Sequence, residues 1–124
     1  MQIRIYYEDT DAGGIVYHAN YLKYCERARS EYFFKKGLTP IIDGAHFVVR
    51  KMDCDFINSA KFADIIEVST SLVQMKKSSF TLFQEIKKDD KVLFTATALL
   101  VLVKDGKVKR IDSKIEELLN SLFN

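Results

Sequence analysis

The side chains best suited to chemistry lie close together near the start of the chain. Asp9 and Asp11 precede the pair Gly13–Gly14, and His18 follows shortly after them. A positioned carboxylate acts as a general base on water or as a nucleophile on a carbonyl carbon. An imidazole, which changes charge near neutral pH, transfers protons or orients a carbonyl group. This stretch is therefore a candidate site, with Asp11 and His18 as its candidate catalytic residues.

Each of these residues also has a purely structural interpretation. An Asp-x-Asp sequence before glycine commonly ends a strand and accepts hydrogen bonds from a turn, and a histidine beside apolar residues commonly has a structural role. The glycines permit a turn and match neither a GxGxxG nor a Walker phosphate-binding sequence. A calcium loop that starts at Asp9 is excluded, because Asn20 occupies its twelfth position instead of glutamate. The residue types alone leave both interpretations of Asp11 and His18 open.

A helix predicted over Asn20–Lys36 follows this loop. One apolar stripe with the helical period runs along it and consists of Tyr21, Cys25, Ala28 and Tyr32. Asn20 is the predicted N-cap, and Gly37 is the predicted C-terminal stop. The free N–H groups and the positive dipole end at the helix start would stabilise an oxyanion or a polarised carbonyl beside the loop.

Period-two patterns predict antiparallel strands over most of the remaining chain. The run 92–103 is apolar or small at nearly every position, which predicts a central strand covered on both faces. A short C-terminal helix is predicted to begin at the capping box Ser113–Glu116. The predicted strands are Met1–Glu8, Phe47–Phe56, Ile65–Met75, Phe80–Lys87, Val92–Val103 and Lys107–Lys109, the last after a turn at Asp105-Gly106.

This order of elements predicts an α+β fold in which a mostly antiparallel sheet wraps one long helix. The length of 124 residues and the hydrophobic fraction of 48% predict a single packed domain spanning residues 1–124. The uncovered edges of such a sheet predict at least a homodimer.

Composition and charge narrow the functional classes. The net charge of +2 is too small to indicate a nucleic-acid partner. No apolar run approaches the roughly 20 residues that span a bilayer, and the N-terminal sequence lacks the apolar region of a signal peptide, so a cytoplasmic location is expected. Cys25 and Cys54 form no CxxC pair and are expected to be small buried hydrophobic residues, with neither metal nor disulfide chemistry.

The run from Tyr7 to Tyr21, YEDTDAGGIVYHANY, continues into Glu26-Arg27-Ala28-Arg29 and resembles the signature of the hotdog-fold acyl-CoA thioesterases. The greatest similarity is to the bacterial branch associated with the Tol-Pal genes, and 4-hydroxybenzoyl-CoA thioesterases are related. The residues that are specific to this family lie in the first 32 residues. The order of the predicted helices and strands and the chain length extend the resemblance over the whole chain.

The resemblance implies a hotdog fold, with an antiparallel sheet of five or six strands around the long helix and a short C-terminal helix. It also implies a homodimer or a dimer of dimers, here a homotetramer, with active sites at subunit interfaces. The reaction would be hydrolysis of acyl-CoA thioesters without a metal or an organic cofactor. Asp11 matches the family's catalytic aspartate, as base or nucleophile, and His18 matches its usual companion. The helix start would polarise the thioester carbonyl.

Substrate-binding residues are expected around this pair. Tyr7 and Tyr17 are candidates for the pocket wall, although core packing is the default role for each, and Gly13 and Gly14 would let the backbone approach the substrate. Coenzyme A phosphates need exposed cations. The candidate residues for that end of the substrate are Lys61, Lys76, Lys77 and Ser78, and lysines at a hairpin equally serve to keep a sheet edge solvated.

Two other functions stay open at this point. The first is a hotdog dehydratase acting on hydroxyacyl thioesters, although no HFPxxPxxP-like sequence precedes the helix and the single proline, Pro40, follows it. The second is a non-catalytic module that binds acyl carrier protein or a membrane-associated complex, because the basic clusters of the chain would suit an acidic carrier helix.

Overall fold

The strand and helix patterns produce seven strands and two α-helices in the computed structural model, which describes all residues from 1 to 124. Neither α-helix is both long and apolar enough to cross a membrane. The helices are α1 (Asn20–Phe34) and α2 (Ser113–Phe123), with a 3₁₀ helix at Tyr7–Asp9. The strands are β1 (Gln2–Arg4), β2 (Ile41–Ile42), β3 (Ala45–Phe56), β4 (Ile65–Met75), β5 (Ser79–Lys88), β6 (Lys91–Lys104) and β7 (Lys107–Lys109).

One sheet contains all seven strands in the order β1-β4-β5-β6-β3-β2, and β7 pairs with the end of β6. Every pairing is antiparallel. The position of β6 between β5 and β3 confirms that the apolar run is central. Residues 100–102 of β6 are buried on both faces, whereas Thr95, Thr97 and Leu99 are partly or fully exposed on the outer face. The prediction of a strand covered on both faces is therefore correct only at that end.

The long helix α1 packs on one face of this sheet through its predicted stripe. Tyr21, Cys25 and Ala28 are buried, and Tyr24 beside them is buried too. The Tyr21 ring stacks on Phe94 of β6 with centroids 5.2 Å apart, and α2 covers the other end of the core. The result is the predicted α+β arrangement of a curled antiparallel sheet around one long helix.

The start of α1 differs from the prediction. Asn20 is the first helical residue and not the N-cap, and Ala19 at the N-cap position offers no side-chain hydrogen bond. The Asn20 amide donates to the carboxylate of Asp9 instead, at 3.2 Å. Asn20 therefore ties the helix to the preceding loop and leaves the N–H groups ahead of it uncapped.

Other helices and strands also begin or end at residues different from those predicted, again for local reasons. The first strand ends at Arg4, because residues Tyr7–Asp9 form the 3₁₀ helix. The cap of α2 is Asp112, whose Oδ1 accepts from the Ile115 N–H at 2.9 Å, and not Ser113. Ile41 and Ile42, which follow α1 and lie outside every predicted strand, pair with β3 as the short strand β2.

Strand β3 is less covered than its alternating pattern predicts. Val48 and Phe56 are 38% and 53% exposed, and Met52 and Cys54 are only half-buried. Beyond the first two residues, which pair with β2, the outer edge of β3 has no partner strand. A long free edge with exposed apolar side chains is a surface that pairs readily with another strand.

An ion pair joins the β3–β4 connection to the β5–β6 hairpin. Lys88 Nζ donates to Asp64 Oδ1 at 2.8 Å, and Asp64 Oδ2 accepts from the backbone N–H of Lys61 at 2.9 Å. Partial burial raises the pKa of Asp64, but these hydrogen bonds and the two lysine charges outweigh it, so the pKa is lowered overall. The charged carboxylate is therefore stabilised in the folded protein.

We expect Asp64→Asn to destabilise the protein at neutral pH much more than at strongly acidic pH. A carboxylate with a depressed folded-state pKa stabilises the fold above its unfolded pKa, and this contribution is lost as pH falls through the folded pKa. Urea titrations of both proteins at about pH 7 and about pH 2, on either side of the ordinary carboxyl pKa, measure the difference. An equal difference in unfolding free energy at both pH values would contradict the expectation.

Candidate active site

A tight hairpin over residues 10–16 holds Asp11 near its start. Thr10 and Val16 form an antiparallel bridge. The Asp11 N–H donates to the Ile15 carbonyl at 2.9 Å, and the Gly14 N–H donates to the Asp11 carbonyl at 3.0 Å. Gly14 has a φ of 80°, a left-handed conformation that glycine adopts without steric cost. The backbone of Asp11 is therefore fixed by a turn that Gly14 permits.

The Asp11 carboxylate is exposed and folds back over this turn. Its Oδ1 accepts from the Gly13 N–H at 2.8 Å. A Cβ atom at position 13 would lie 3.2 Å from the same oxygen, so glycine allows this close contact. Oδ2 accepts no hydrogen bond from the chain and is free to accept one from water, which is what a general base requires.

His18 lies on the returning arm of the hairpin, at the wall of a small cavity. Its ring centroid is 4.5 Å from that of Tyr17 and 6.2 Å from that of Phe56. Asp11 lies on the other arm, where it is bonded to Ile15, and it does not line the cavity that His18 borders. The cavity has a volume of about 150 Å³ and is lined by Ile15, Val16, His18, Tyr21, Phe56, Ile57, Asn58 and Ser59.

Two residues at the start of α1 have unused hydrogen-bond donors, and one of them, His18, lines this cavity. The backbone N–H groups of His18 and Ala19 donate to no atom of the chain, whereas the Asn20 N–H is bonded to the Tyr17 carbonyl at 2.9 Å. Free N–H groups at a helix start carry the positive end of the helix dipole. This arrangement is suited to a carbonyl oxygen that gains negative charge.

Asp9 connects three parts of the site. Its Oδ2 accepts from the Tyr6 N–H at 2.8 Å, and its Oδ1 accepts from the Asn20 amide at 3.2 Å. Its carbonyl accepts from the Tyr17 N–H at 2.9 Å. Asp9 therefore holds the start of the hairpin, its end and the first turn of α1 in one arrangement, and its contacts are structural.

Three of the predicted substrate-binding residues surround the hairpin. Tyr7 is 82% exposed and meets Phe62 edge to face at 6.2 Å, and Tyr17 is 46% exposed. Core packing, the alternative considered for both tyrosines, is therefore wrong. Lys61 pairs with Ile15 of the hairpin through an isolated bridge.

The other predicted residues, Lys76 to Ser78, lie at the opposite end of the sheet in the same chain. The hairpin that holds them is next to Ser79, which pairs with Val101, and Val101 pairs with Val48. Val48 and Phe56 stand eight positions apart on β3, roughly 25 Å at the rise of an extended strand. The backbone of Lys77 accepts from the Ile111 N–H at 2.8 Å, so Arg110 and β7 belong to the same basic end.

The cysteines lack the properties of reactive groups. Burial raises the pKa of Cys25 to about 12, and burial is also the main cause of the raised pKa of Cys54. The thiolate is the nucleophilic form, so both thiols are inert near neutral pH. No group of three or more histidine, cysteine, aspartate or glutamate side chains has an arrangement that could hold a metal ion.

Of the eight residues in the cavity wall, only His18 was identified as a site residue by sequence reasoning, and Phe56, Asn58 and Ser59 are among those missed. Asn58 donates to the Val92 carbonyl at 2.8 Å and so fixes the loop after β3 against β6. The sequence signal for this segment was the group of polar residues directly after a long strand. Such residues indicate a loop, but they do not show which cavity the loop borders.

Comparison with known proteins supports the resemblance found in the sequence. Residues 13–95 match the model of the Thioesterase superfamily. The "Acyl-CoA thioesterase YbgC" of Helicobacter pylori (strain ATCC 700392 / 26695) is 50% identical over 86 residues, which cover 69% of this chain and 65% of that protein. The "Acyl-CoA thioester hydrolase YbgC" of Escherichia coli O6:H1 is 37% identical over 108 residues, covering 83% and 79%.

A solved structure shows the same architecture. The probable thioesterase from Bartonella henselae aligns with a TM-score of 0.85 at 32% sequence identity, over 90% of this chain and 97% of that one. The hotdog fold predicted from the sequence is thereby confirmed. The chain spans 65% of the length of the Helicobacter relative. With a family model that matches more than half of its residues, the chain belongs to the thioesterase superfamily.

Proposed function

We propose that this protein hydrolyses acyl-CoA thioesters to a free acid and coenzyme A. The observation that carries the proposal is that the segment from Asp11 to Ala19 contains both an exposed carboxylate and unused backbone donors. Asp11 has a free Oδ2 oxygen, and the N–H groups of His18 and Ala19 are unbonded at the start of α1. A general base or nucleophile and an oxyanion-binding group are the two parts that acyl transfer from a thioester requires.

The proposed chemistry follows from these groups. Asp11 either removes a proton from water as the water attacks the carbonyl carbon, or attacks that carbon itself and is released by water afterwards. The carbonyl oxygen, which becomes negative, accepts from the N–H groups of His18 and Ala19. The carbon–sulfur bond then breaks, and the coenzyme A thiolate leaves and takes up a proton. His18 assists by orienting the carbonyl or by transferring that proton.

The acyl group is proposed to enter the cavity beside His18, with Tyr17 at its entrance. Gly13 and Gly14 keep the hairpin free of side chains where the thioester passes, and Tyr7 and Lys61 border the same face. Relatives named as an acyl-CoA thioesterase and an acyl-CoA thioester hydrolase, 50% and 37% identical to this chain, support this substrate class.

We expect Asp9→Ala to lower kcat by about 10²-fold, because a displacement of roughly 1 Å at a reacting group has an effect of that size. Asp9→Asn retains an acceptor for the Tyr6 N–H and is expected to keep more activity. Release of free thiol from an acyl-CoA, followed with a chromogenic thiol reagent, gives kcat and KM for both variants. If kcat for Asp9→Ala equals that of wild type, Asp9 does not position the catalytic groups.

The catalytic unit is proposed to be a homodimer joined through the free edge of β3. Val48, Val49 and Phe56 expose apolar surface along this edge, and its backbone groups lack a partner strand. Two copies of one strand related by a two-fold axis pair antiparallel. The Val48 end of one copy then lies at the Phe56 end of the other.

This pairing would bring the basic end of one copy to the acid–imidazole site of its partner. Lys76, Lys77 and Ser78, which are remote from Asp11 in their own chain, would then approach the coenzyme A phosphates bound at the other subunit. Exposed cations are the groups that bind phosphates.

We further propose a dimer of dimers as the assembled enzyme and the cytoplasm as its location, with acyl carrier protein as an alternative acyl donor.

Mixed dimers test both the reaction and the shared site. Asp11→Asn removes the carboxylate from one chain, and the double variant Lys76→Ala/Lys77→Ala removes the phosphate-binding charges from the other. A dimer containing one chain of each kind has one complete site if the lysines act across the interface. When equal amounts of the variants are unfolded together and refolded at random, about half of the dimers are mixed, so about a quarter of all sites are expected to hydrolyse acyl-CoA with the wild-type KM.

The outcomes separate the alternatives. A mixture whose KM stays as high as that of the lysine variant would show that the lysines do not act across the interface. Enoyl-thioester absorbance without thiol release would assign a dehydratase reaction instead. Neither product, from short-chain, long-chain or hydroxybenzoyl esters, would favour a non-catalytic carrier-binding module over an enzyme.

A further inference from the structure

A partly buried polar network beneath α1 contains a cation that forms no ion pair within the chain. Arg29 is half-buried, and its Nη1 donates to Gln84 Oε1 at 3.0 Å. Gln84 is fully buried and in turn donates to the Cys25 carbonyl at 3.0 Å and to Thr70 Oγ1 at 2.9 Å. Arg29 forms no ion pair, and its remaining N–H groups have no acceptor in the chain.

The nearest acidic residue does not neutralise this guanidinium directly. Glu26 Oε1 accepts from the Ser30 hydroxyl at 3.0 Å and makes no ion pair with Arg29. Burial lowers the pKa of Arg29, and the interactions with Cys25 and Glu26 act in the opposite direction without cancelling it. An arginine stays protonated under such conditions, so its free donors are available to an anionic acceptor.

Arg29 lines a cavity that is separate from the one beside His18. The cavity has a volume of about 110 Å³ and lies between α1 and the inner face of β3, β5 and β6. Its walls are mainly apolar, and its polar residues are Arg29, Glu26 and Ser30. The apolar and proline side chains around them are Phe33, Pro40, Phe47, Val49, Phe80, Leu82, Leu100 and Phe123.

We propose that this cavity is a binding site for a short-chain monocarboxylate, held by Arg29 through its carboxylate and by the aromatic and aliphatic walls through its hydrocarbon part. A guanidinium presents two parallel N–H groups that match the two oxygens of a carboxylate. Mostly apolar walls with a few directed polar groups are typical of small-molecule sites. A phosphate or sulfate would satisfy the cation but would leave the apolar walls unused.

The cavity volume sets the chain length. A cavity of roughly 150 Å³ holds one benzene molecule, so about 110 Å³ accommodates a carboxylate with a chain of about four carbons. Such acids are also the class of product that the proposed thioester hydrolysis releases. That link rests on the proposed function, whereas binding of the carboxylate does not depend on catalysis.

Calorimetric titration of the full-length protein with sodium butyrate tests the proposal, with butyramide as the neutral analogue of the same shape. Butyrate is expected to bind with one site per chain, and butyramide at least about tenfold more weakly because it lacks the charge. Arg29→Gln is expected to weaken butyrate binding by about tenfold or more. Arg27→Gln, an exposed arginine on the same helix, is expected to leave it within about twofold of wild type.

Ser30→Leu is a second variant that fills the cavity without touching the Arg29–Gln84 hydrogen bond, and it is expected to abolish butyrate binding in a protein with wild-type circular dichroism. It decides the question if Arg29→Gln fails to fold. Butyrate binding that is absent, or that is unchanged in Arg29→Gln and in Ser30→Leu, overturns the proposal. If butyrate does not bind but Arg29→Gln shifts the dimer dissociation constant, the cavity is assigned to a second copy of the chain. That result also overturns the proposal. An Asp11→Asn protein without hydrolytic activity that still binds butyrate separates this site from the proposed reaction.

Discussion

Replacement of Asp11 by asparagine is expected to lower kcat for acyl-CoA hydrolysis by about 10³-fold or more, within the range of effects for a lost general base or nucleophile. The amide of asparagine keeps the shape of the side chain and its acceptor for the Gly13 N–H. It is neither basic enough to accept a proton from water nor nucleophilic enough to attack a thioester. The loss should therefore fall on kcat, with KM changed little.

The structure of Asp11→Asn should be preserved, because Asp11 is exposed and only one hydrogen bond involves its carboxylate. Thermal unfolding followed by circular dichroism checks this point. Asp89→Asn is the matched control, since Asp89 is an exposed carboxylate at the tip of the β5–β6 hairpin with φ of 52°, a conformation that asparagine tolerates. Hydrolysis by Asp11→Asn at the wild-type rate would end the assignment of Asp11 as the acting carboxylate.

Labelled water distinguishes the two roles of Asp11. If Asp11 attacks the thioester, water cleaves the resulting mixed anhydride, and attack at the Asp11 carbonyl leaves label in the side chain after a single turnover in oxygen-18 water. If Asp11 acts as a base, all label appears in the released acid. Mass spectrometry of the peptide that contains Asp11 reads the difference directly.

The local geometry around Asp11 was predictable because interactions over a few residues determine it. The two glycines permit the turn, and the pairing of Thr10 with Val16 follows from a short hairpin. The helix stripe was predictable for the same reason, since helical periodicity is a local property. The family resemblance added the roles of Asp11 and His18, which geometry by itself does not assign.

Predictions that depend on distant partners were less successful. Asn20 has the residue type and position of an N-cap, but its amide donates to Asp9, whose placement depends on the 3₁₀ helix that replaces the end of the predicted first strand. Gln84 is in phase with the inward-facing residues of β5, and only the packing of α1 on that strand shows that it bonds Arg29. A polar residue in phase with buried ones was the sequence signal for this network.

The position of Lys76 and Lys77 shows a different limit of sequence reasoning. The hairpin itself was predicted correctly, because polar residues between two alternating runs are a local signal. Its location relative to Asp11 depends on how β4, β5, β6 and β3 are ordered in the sheet. Whether it contributes to the site depends in turn on the free edge of β3, which no single chain completes.

Truncation of Phe94 is expected to have the largest effect on stability. Its side chain is fully buried in β6, stacks on Tyr21 at 5.2 Å and meets Phe56 at 5.1 Å. Phe94→Ala removes this buried surface, leaves a cavity and breaks both aromatic contacts, for an expected cost of about 3–5 kcal/mol. A domain of this size has a total stability of roughly 5–15 kcal/mol, so the loss is a large share of it.

Phe94→Ala should also change the shape of the candidate site, because Tyr21 and Phe56 line the cavity beside His18. Tyr21 also accepts from the Ala60 N–H at 3.1 Å, and that bond holds the loop against which the Asp11 hairpin pairs. Urea unfolding measures the stability change, and thiol release at a temperature where Phe94→Ala stays folded measures activity. Phe62→Ala is the matched control, an exposed phenylalanine whose truncation is expected to cost less than about 1 kcal/mol. Equal unfolding free energies for the two variants would mean that the stack of Tyr21 on Phe94 does not support the core, and that the cavity beside His18 is held by the hairpin and the start of α1 alone.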